Sequence, residues 1–561
     1  MFRKRTKKER LWEIFPGALT WAVFFGAAAL SYFQPIWAAI FIICFDTYFL
    51  AKSAIYTIHT VNAYGIFKAS MQIDWLAWTE KLPDLKSFMD FLGQEARPGK
   101  SKKIQRFVGN EIARLKKFQT YLLTESQPRN FDFKEIYQLV LIPFVDEAEG
   151  LLRSTIKSIV ACQYPKDKMI ILLAAEARAG EEARRIALQM QTEFGNSFYK
   201  FFVSFHPGNL EGEIKGKSAN ATFAVNHILP ELKNLGISPD KTIISNFDSD
   251  TQPHPQYFAR AAYMFLTAEK PHQISMQPLT FYHNNIWESP SISRVISANH
   301  AFWVFSESSR EKRMRTFSSH SMSLKTLVDV GLWDRQIVNE DGYIFWQCLF
   351  HYNGDYKVLP MHLPVSMDTC LGDTWKQTLI NQYKQVRRWA YFVEYYPHLM
   401  PKLFKNPMPI KDKLYHLFNF VENHLNWATA SIIIATMGWL PIILGGARFG
   451  GSVTAFNLPK VTQTLMNVTM SFLIIGVYLN YRLLPKEIRD QTMLKRLAMF
   501  VQWLLVPFIA VAFISVPAID AQTRLMFGKY LEFWVTPKAR KKASIKLEIN
   551  EIKTVEARSK Y

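Results

Sequence analysis

Five apolar stretches, two at the start of the chain and three near its end, restrict what this sequence can fold into more than any other feature. Residues 15–33 carry no charge, and residues 35–50 carry only Asp46. Joined at Gln34, the two read as a helical hairpin through a bilayer. A cleaved leader is not expected, because the apolar length is too great, no small-residue cleavage site stands out, and a second apolar run follows at once. Residues 425–446, 465–481 and 497–519 are also free of charge, each about long enough to span a hydrocarbon core of roughly 30 Å.

Charge sets the expected orientation. Arg3, Lys4, Arg5, Lys7, Lys8 and Arg10 precede the first run, which predicts a cytosolic amino terminus, and the hairpin then returns the middle of the chain to the cytosol. The loop after the third run holds only Arg448 and Lys460, whereas the next holds Arg482, Lys486, Arg489, Lys495 and Arg496, in agreement. A fifth crossing would carry Lys538, Arg540, Lys541 and Lys542 to the outside, so one run is expected to be re-entrant or the count of crossings to be off by one. Before the third run, residues 410–427 place Leu414, Leu417, Phe418, Val421 and Leu425 at helical spacing, as in a helix lying at the membrane interface or packed on a soluble domain. Asp46 is expected at a helix–helix contact or near the interface.

The chain has 561 residues, 49% of them hydrophobic, and a net charge of +20, enough for several domains and too apolar for disorder. Its basic clusters lie beside apolar runs, which suits anionic lipid headgroups, and no zinc-finger or RNA-recognition signature points to nucleic acid. Cys44, Cys162, Cys348 and Cys370 are scattered without CxxC spacing, which fits a reducing compartment.

From Tyr137 onward short apolar runs alternate with helical periodicity, predicting an α/β domain with a mainly parallel sheet. Strands are expected at 138–143, 169–173, 201–205 and 242–247, with helices at 148–161, 180–194 and 218–232. Ligands in such sheets bind beyond the carboxyl ends of the strands. Asp146 and Glu147 follow the first run, Glu176 the second, and Asp248 with Asp250 the fourth.

Asn246-Phe247-Asp248-Ser249-Asp250 is suited to a hard divalent cation, Mg2+ or Mn2+, that also takes diphosphate oxygens, although such a DxD is common in turns. The ordered sequel raises its weight: Asn339-Glu340-Asp341, then Gln385-Val386-Arg387-Arg388-Trp389. Gln385, Arg388 and Trp389 share one helix face. Residues 212–218, GEIKGKS, imitate a phosphate-binding P-loop with one residue too few between its glycine and the GK pair. Lys217 and Asn220 are instead expected to begin a helix near a nucleotide. His320 reads as a structural histidine.

IPFVDEAE (142–149), the Lys217 and Asn220 of GKSAN, NFDSD, NED and QVRRW, followed by an interface helix and membrane runs, together resemble membrane-embedded family 2 glycosyltransferases of the cellulose, chitin and hyaluronan synthase group. Trp534-Val535-Thr536-Pro537-Lys538 is similar to a segment common after their last span, usually cytosolic. Where the group usually has an aspartate near the base, this chain has Ala175-Glu176.

The resemblance implies a glycosyltransferase-A type domain. In it Asp146, Glu147, Glu176, Lys217 and Asn220 would bind a nucleotide-sugar donor, expected to be UDP-linked, while Asp248 and Asp250 hold the metal. Asp341, with Glu340 beside it, would be the general base of an inverting transfer. Gln385, Arg388 and Trp389 would hold diphosphate and acceptor, a saccharide or a lipid-linked sugar.

The expected layout is a basic amino terminus and hairpin (1–56), a helical linker without assigned chemistry (57–136), a cytosolic transferase domain (137–409), an interface helix (410–427), a membrane region (428–527) and a basic tail (528–561). The expected product is a polysaccharide made at the plasma membrane, with export between the later spans. Single-sugar transfer to a lipid carrier and a non-catalytic scaffold are the alternatives.

Overall fold

The computed structural model describes residues 5–97, 99, 101–125, 129–208, 210–485 and 492–536. The basic cluster at 538–542, with Arg3, Lys4, Lys486 and Arg489, falls outside these. Eight strands form one sheet: β1 Tyr137–Phe144, β2 Met169–Glu176, β3 Lys200–His206, β4 Thr242–Asn246, β5 Gln252–Pro253, β6 Ile274–Phe281, β7 Ser321–Ser323 and β8 Lys357–Ser366. Their order is β3-β2-β1-β4-β7-β6-β8-β5. The β3-β2-β1-β4 half is parallel throughout. β7 and β5 run antiparallel to their neighbours, while β6 and β8 are parallel to each other.

The first four strands and three helices therefore fall where hydrophobic period placed them, and the helix Gly180–Phe194 matches its expected bounds. The second half of the sheet was not anticipated. β5 and β7 are two and three residues long, too short to show a period.

Alternation along the strands builds two cores. Leu139, Leu141, Ile170 and Leu172 point to one face, where they meet Ala221, Val225 and Ile228 of the helix Lys217–Asn234, and where Phe420, Ala518 and Leu525 close the far side of the same core. Val140, Ile142, Ile171 and Leu173 point to the other face. That face is covered in part by the helices Trp75–Glu80, Leu85–Glu95 and Lys102–Leu122, whose Trp75, Phe88, Leu92 and Leu115 are fully buried. The linker region thus supplies the outer lid of the sheet.

Among the described residues five helical segments are long and apolar enough to cross a membrane: Lys7–Phe33, Pro35–Ser70, Ile410–Leu444, Val453–Leu483 and Met493–Met526. Pro35–Ser70 runs on into the domain, where Phe67 packs on Phe281 and Phe305. The expected interface helix is the first part of one continuous helix, Ile410–Thr436, with Ile410, Leu414 and Phe418 exposed along one side. Asp46 is buried at 3% exposure on Pro35–Ser70.

The last segment meets the α/β domain at both of its ends. Near its start Lys495 lies over the Trp287 ring and Gln502 accepts from Arg294 Nε at 2.8 Å; near its end Asp520 accepts from Arg387 at 2.9 Å. These contacts bring both ends to the α/β domain, and residues 530–536 lie beside it. Pro507, Pro517 and the π-helical turn Ala510–Ser515 break it up, as expected where backbone bends out of a straight span.

Candidate active site

The carboxylates converge because β1, β2 and β4 end at one edge of the sheet. Asp248 follows β4 directly, and a backbone bond from Thr251 to the Asp248 carbonyl closes the turn. Asp341 stands in the first turn of the helix Glu340–His351, where the positive end of the helix dipole favours a carboxylate. Lys217 opens the helix Lys217–Asn234 and joins them: its Nζ lies 2.7 Å from Asp248, 3.1 Å from Asp341 and 3.3 Å from Glu340. One ammonium touching both aspartates places their oxygens within about 6 Å of each other.

The electrostatics follow from that packing. Burial alone would lower the Lys217 pKa, but the charges of Asp248, Asp341 and Glu340 outweigh it and hold the ammonium well above its ordinary value. Glu340 is pushed up by burial and then by its neighbour Asp341, so it holds its proton more tightly than an ordinary carboxyl. His320 bonds the Phe317 carbonyl at 2.9 Å and stands 4.0 Å from Asp341; burial lowers its pKa.

Asp248 Oδ2 accepts from Ser318 Oγ at 2.7 Å and faces the cavity. Asp250 is fully buried behind it, with Oδ2 accepting from the Asp368 backbone N–H at 2.8 Å. The two carboxylates of the DxD thus face different surroundings, because residues 248–251 form a turn closed by the Thr251–Asp248 backbone bond, whereas in an extended segment residues two apart would share a face. Among the described residues no three His, Cys, Asp or Glu side chains gather at metal-binding distance.

Glu147 lines the cavity and accepts from Ser249 Oγ at 2.9 Å, whereas Asp146, next to it, is exposed and outside the lining. Glu176 lines it at 2% exposure and pairs with Arg178. Asn220 also lines it, but its amide donates to the Ala174 carbonyl at 2.8 Å, tying helix to sheet.

Gln385, Arg388 and Trp389 lie on the helix Trp375–Ala390 and all line the cavity. Their neighbour Arg387 points the other way, to Asp520. Arg388 Nε is buried with no hydrogen-bond partner among the described residues, and the guanidinium lies 4.8 Å from the Phe533 ring.

Sequence reasoning missed two groups. Glu394 accepts backbone bonds from Val338 at 3.0 Å and Asn339 at 2.9 Å, fixing the approach to Asp341; burial pushes its pKa up to about 8. An aromatic collar of Tyr282, His300, Trp303, Phe317 and Trp389 also faces the cavity, with His300 5.0 Å from Trp389 and Trp303 4.7 Å from Phe317. Only His300 and Trp303 share an element, the helix Ser291–Glu307, so no local pattern announces the collar.

Lys217, Asp248, Asp341, the Gln385/Arg388/Trp389 face and the aromatic collar line one cavity of about 1170 Å³, which continues past Asn419, Asn423 and Asn426 to Ala430, Ile434, Met470, Leu473 and Ile514 of the membrane-length segments. Its domain end is charged and its far end apolar.

No family model matches the chain, and no curated protein matches it. Among solved structures, a mannosyltransferase from Pyrobaculum calidifontis in complex with GDP-Man and Mn2+ matches at 12% identity and a TM-score of 0.36, over 71% of this chain and 98% of that one. S. aureus TarS 1–349 in complex with UDP-GlcNAc matches at 11% identity and 0.34, over 71% and 94%. By the order of its own strands, the chain carries an α/β domain built on one mixed eight-stranded sheet, with carboxylates at the strand ends and membrane-length helices on both sides of it in the sequence.

Proposed function

We propose that this protein is a membrane-embedded, inverting glycosyltransferase of the family 2 synthase kind, which adds sugars from a nucleotide donor, UDP-linked, to a saccharide at the cytosolic face of the plasma membrane. One observation carries the reading: a single cavity holds Asp248, Asp341 and the Gln385/Arg388/Trp389 face, and continues between helices long enough to cross a bilayer. A saccharide leaving Asp341 along it avoids bare hydrocarbon.

In this mechanism Asp341 takes the proton of the acceptor hydroxyl on Oδ2, while Asn246 Nδ2 holds Oδ1 at 3.1 Å. The freed oxygen attacks the anomeric carbon as the diphosphate leaves from the opposite face, which inverts configuration without a covalent enzyme intermediate. Burial and the neighbouring Asp341 make Glu340 hold a proton more tightly than an ordinary carboxyl, which favours Asp341 as the base. Arg388, whose buried Nε has no hydrogen-bond partner among the described residues, binds the departing diphosphate. Trp389 and the collar offer ring faces to the acceptor sugar.

The donor set fits a divalent ion that would arrive with the diphosphate: Asp248 would supply a carboxylate from the cavity wall, with Asp250 behind it. Mg2+ or Mn2+ held there would supply positive charge against the leaving diphosphate.

The apolar far end of the cavity favours a second reading, in which the acceptor is lipid-linked and receives a single sugar. Incubation with a panel of radiolabelled nucleotide sugars, with and without Mn2+, separates the two: a ladder of products supports polymerisation, and one organic-soluble species supports the lipid acceptor. Asp341→Asn should abolish transfer and retain donor binding. Wild-type protein that releases no nucleoside diphosphate from any donor would refute both.

A further inference from the structure

The chain passes over the candidate donor site a second time, near its end. Phe533, Val535 and Thr536 line the cavity. Phe533 sits so close to Gly216, the residue before Lys217, that a Cβ there would lie 2.9 Å from the Phe533 Cβ, and its other side faces Arg388. Residues 530–536 form no helix or strand, so this strap has no backbone ladder of its own to hold it.

Part of what holds it lies at the opposite end of the sequence. Glu13, on the helix Lys7–Phe33, is fully buried. Its carboxylate receives Arg5 at 3.0 Å, Arg10 at 2.6 Å and the Tyr530 hydroxyl at 3.0 Å. Arg10 also donates to the Leu525 carbonyl at 2.9 Å and to that of Met526. The helix comes near enough for this because residue 17 is glycine: a Cβ there would meet Met526 at 2.8 Å. Gly528, at φ +70°, then turns the chain toward the cavity, a conformation that favours glycine.

We infer that Glu13 is a positioning residue for the donor site: through Arg10 and Tyr530 it anchors the strap that keeps Phe533 between Gly216 and Arg388. Reach supports this. Phe533 is three positions beyond Tyr530, a tether of at most about 10 Å. With the anchor gone, the strap keeps a bond between Tyr391 and the Leu531 backbone and the Lys384 ammonium 5.3 Å from the Trp534 ring, so its loss loosens the placement of Phe533 without freeing the segment. The first two turns of the amino-terminal helix would then govern donor affinity without touching donor or acceptor.

The inference rests on the transferase reading for its kinetic test but has a second readout that does not. In full-length protein reconstituted in nanodiscs, Tyr530→Phe removes one hydroxyl and Glu13→Gln removes the charge while keeping the shape. With whichever nucleotide sugar supports turnover, both should raise donor KM, about threefold and tenfold or more, with kcat and acceptor KM within twofold. In a Cys44→Ser background, Thr536→Cys reports on the strap directly, since Thr536 is 5% exposed. Maleimide should label it slowly when Glu13 is present and at least tenfold faster with Glu13→Gln. Unchanged labelling and unchanged donor KM in folded variants would overturn the inference, as would a loss confined to kcat. Faster labelling in a protein that turns over no nucleotide sugar would leave the anchor standing and refute the transferase reading alone.

Discussion

Replacing Lys217 with methionine tests the electrostatic centre of the site. The ammonium is the shared counter-charge of Asp248, Asp341 and Glu340, at 2.7, 3.1 and 3.3 Å, and is nearly buried. Methionine keeps the stem and removes the charge, stranding up to three carboxylates. Breaking a buried ion pair on one side typically costs about 3–5 kcal/mol. Asp248 and Asp341 keep 26% and 22% of their side-chain exposure, so solvent screening places the loss near the lower end, about 3 kcal/mol. For a domain of this size that is roughly 6–12 °C in Tm. The pH dependence has a definite sign. The wild-type lysine has its folded pKa raised, so its contribution is complete below the unfolded value near 10.4 and is lost only as pH rises through the folded one. In the variant the crowded carboxylates take up protons as pH falls, so its deficit should shrink toward pH 5. A divalent ion can replace the missing charge: Mn2+ at about 100 times its Kd would restore about 2.7 kcal/mol. Thermal denaturation of both proteins with and without Mn2+, from pH 5 to pH 8, measures all of this. A variant as stable as wild type at pH 8, or one that Mn2+ stabilises no more than wild type, would refute the reasoning.

The other predictions concern neighbours of that centre. Burial raises the Glu394 pKa to about 8, so the folded state binds the proton more tightly than the unfolded one; its contribution weakens as pH climbs from about 5 to 8, and Glu394→Gln should flatten that decline in a stability–pH profile. Arg387→Ala should lower stability by about 1 kcal/mol, because the pair with Asp520 is partly exposed, and leave donor KM unchanged. Arg388→Ala should instead raise donor KM about 10- to 100-fold through a lost charge-assisted bond, with little change in Tm; equal kinetic effects of the two would contradict the helix-face assignment. Gly216→Ala forces a Cβ to 2.9 Å from Phe533, and steady-state kinetics should show a higher donor KM with the protein still folded.

Much of this molecule was legible in its residue order. A parallel strand buried on both sides needs an unbroken apolar run, so 169–173 announced β2, and a bilayer demands long uncharged helices, so 15–33 announced the first membrane segment. The chemical groups were visible as well, since each lies just past a strand or at a helix start: Asp248 after β4, Lys217 and Asp341 in first turns. Short antiparallel strands such as β5 and β7 have too few residues for a period, and the helices over 75–122 bury their aromatics against a sheet that the sequence does not place beside them.

Local order fixed which residues carry charge and which segments are helical, because those depend on neighbours within a turn or two. Tertiary structure alone decided that Asp248 and Asp250 face apart, that Asp146 is exposed while Glu147 lines the cavity, and that Arg387 and Arg388 serve different partners. It also decided that the last apolar run returns to the domain, since hydropathy records whether a segment tolerates lipid but not where its ends are held. Those ends are fixed by bonds between residues as distant as Glu13 and Tyr530, and contacts of that range leave no signature in any window of the sequence.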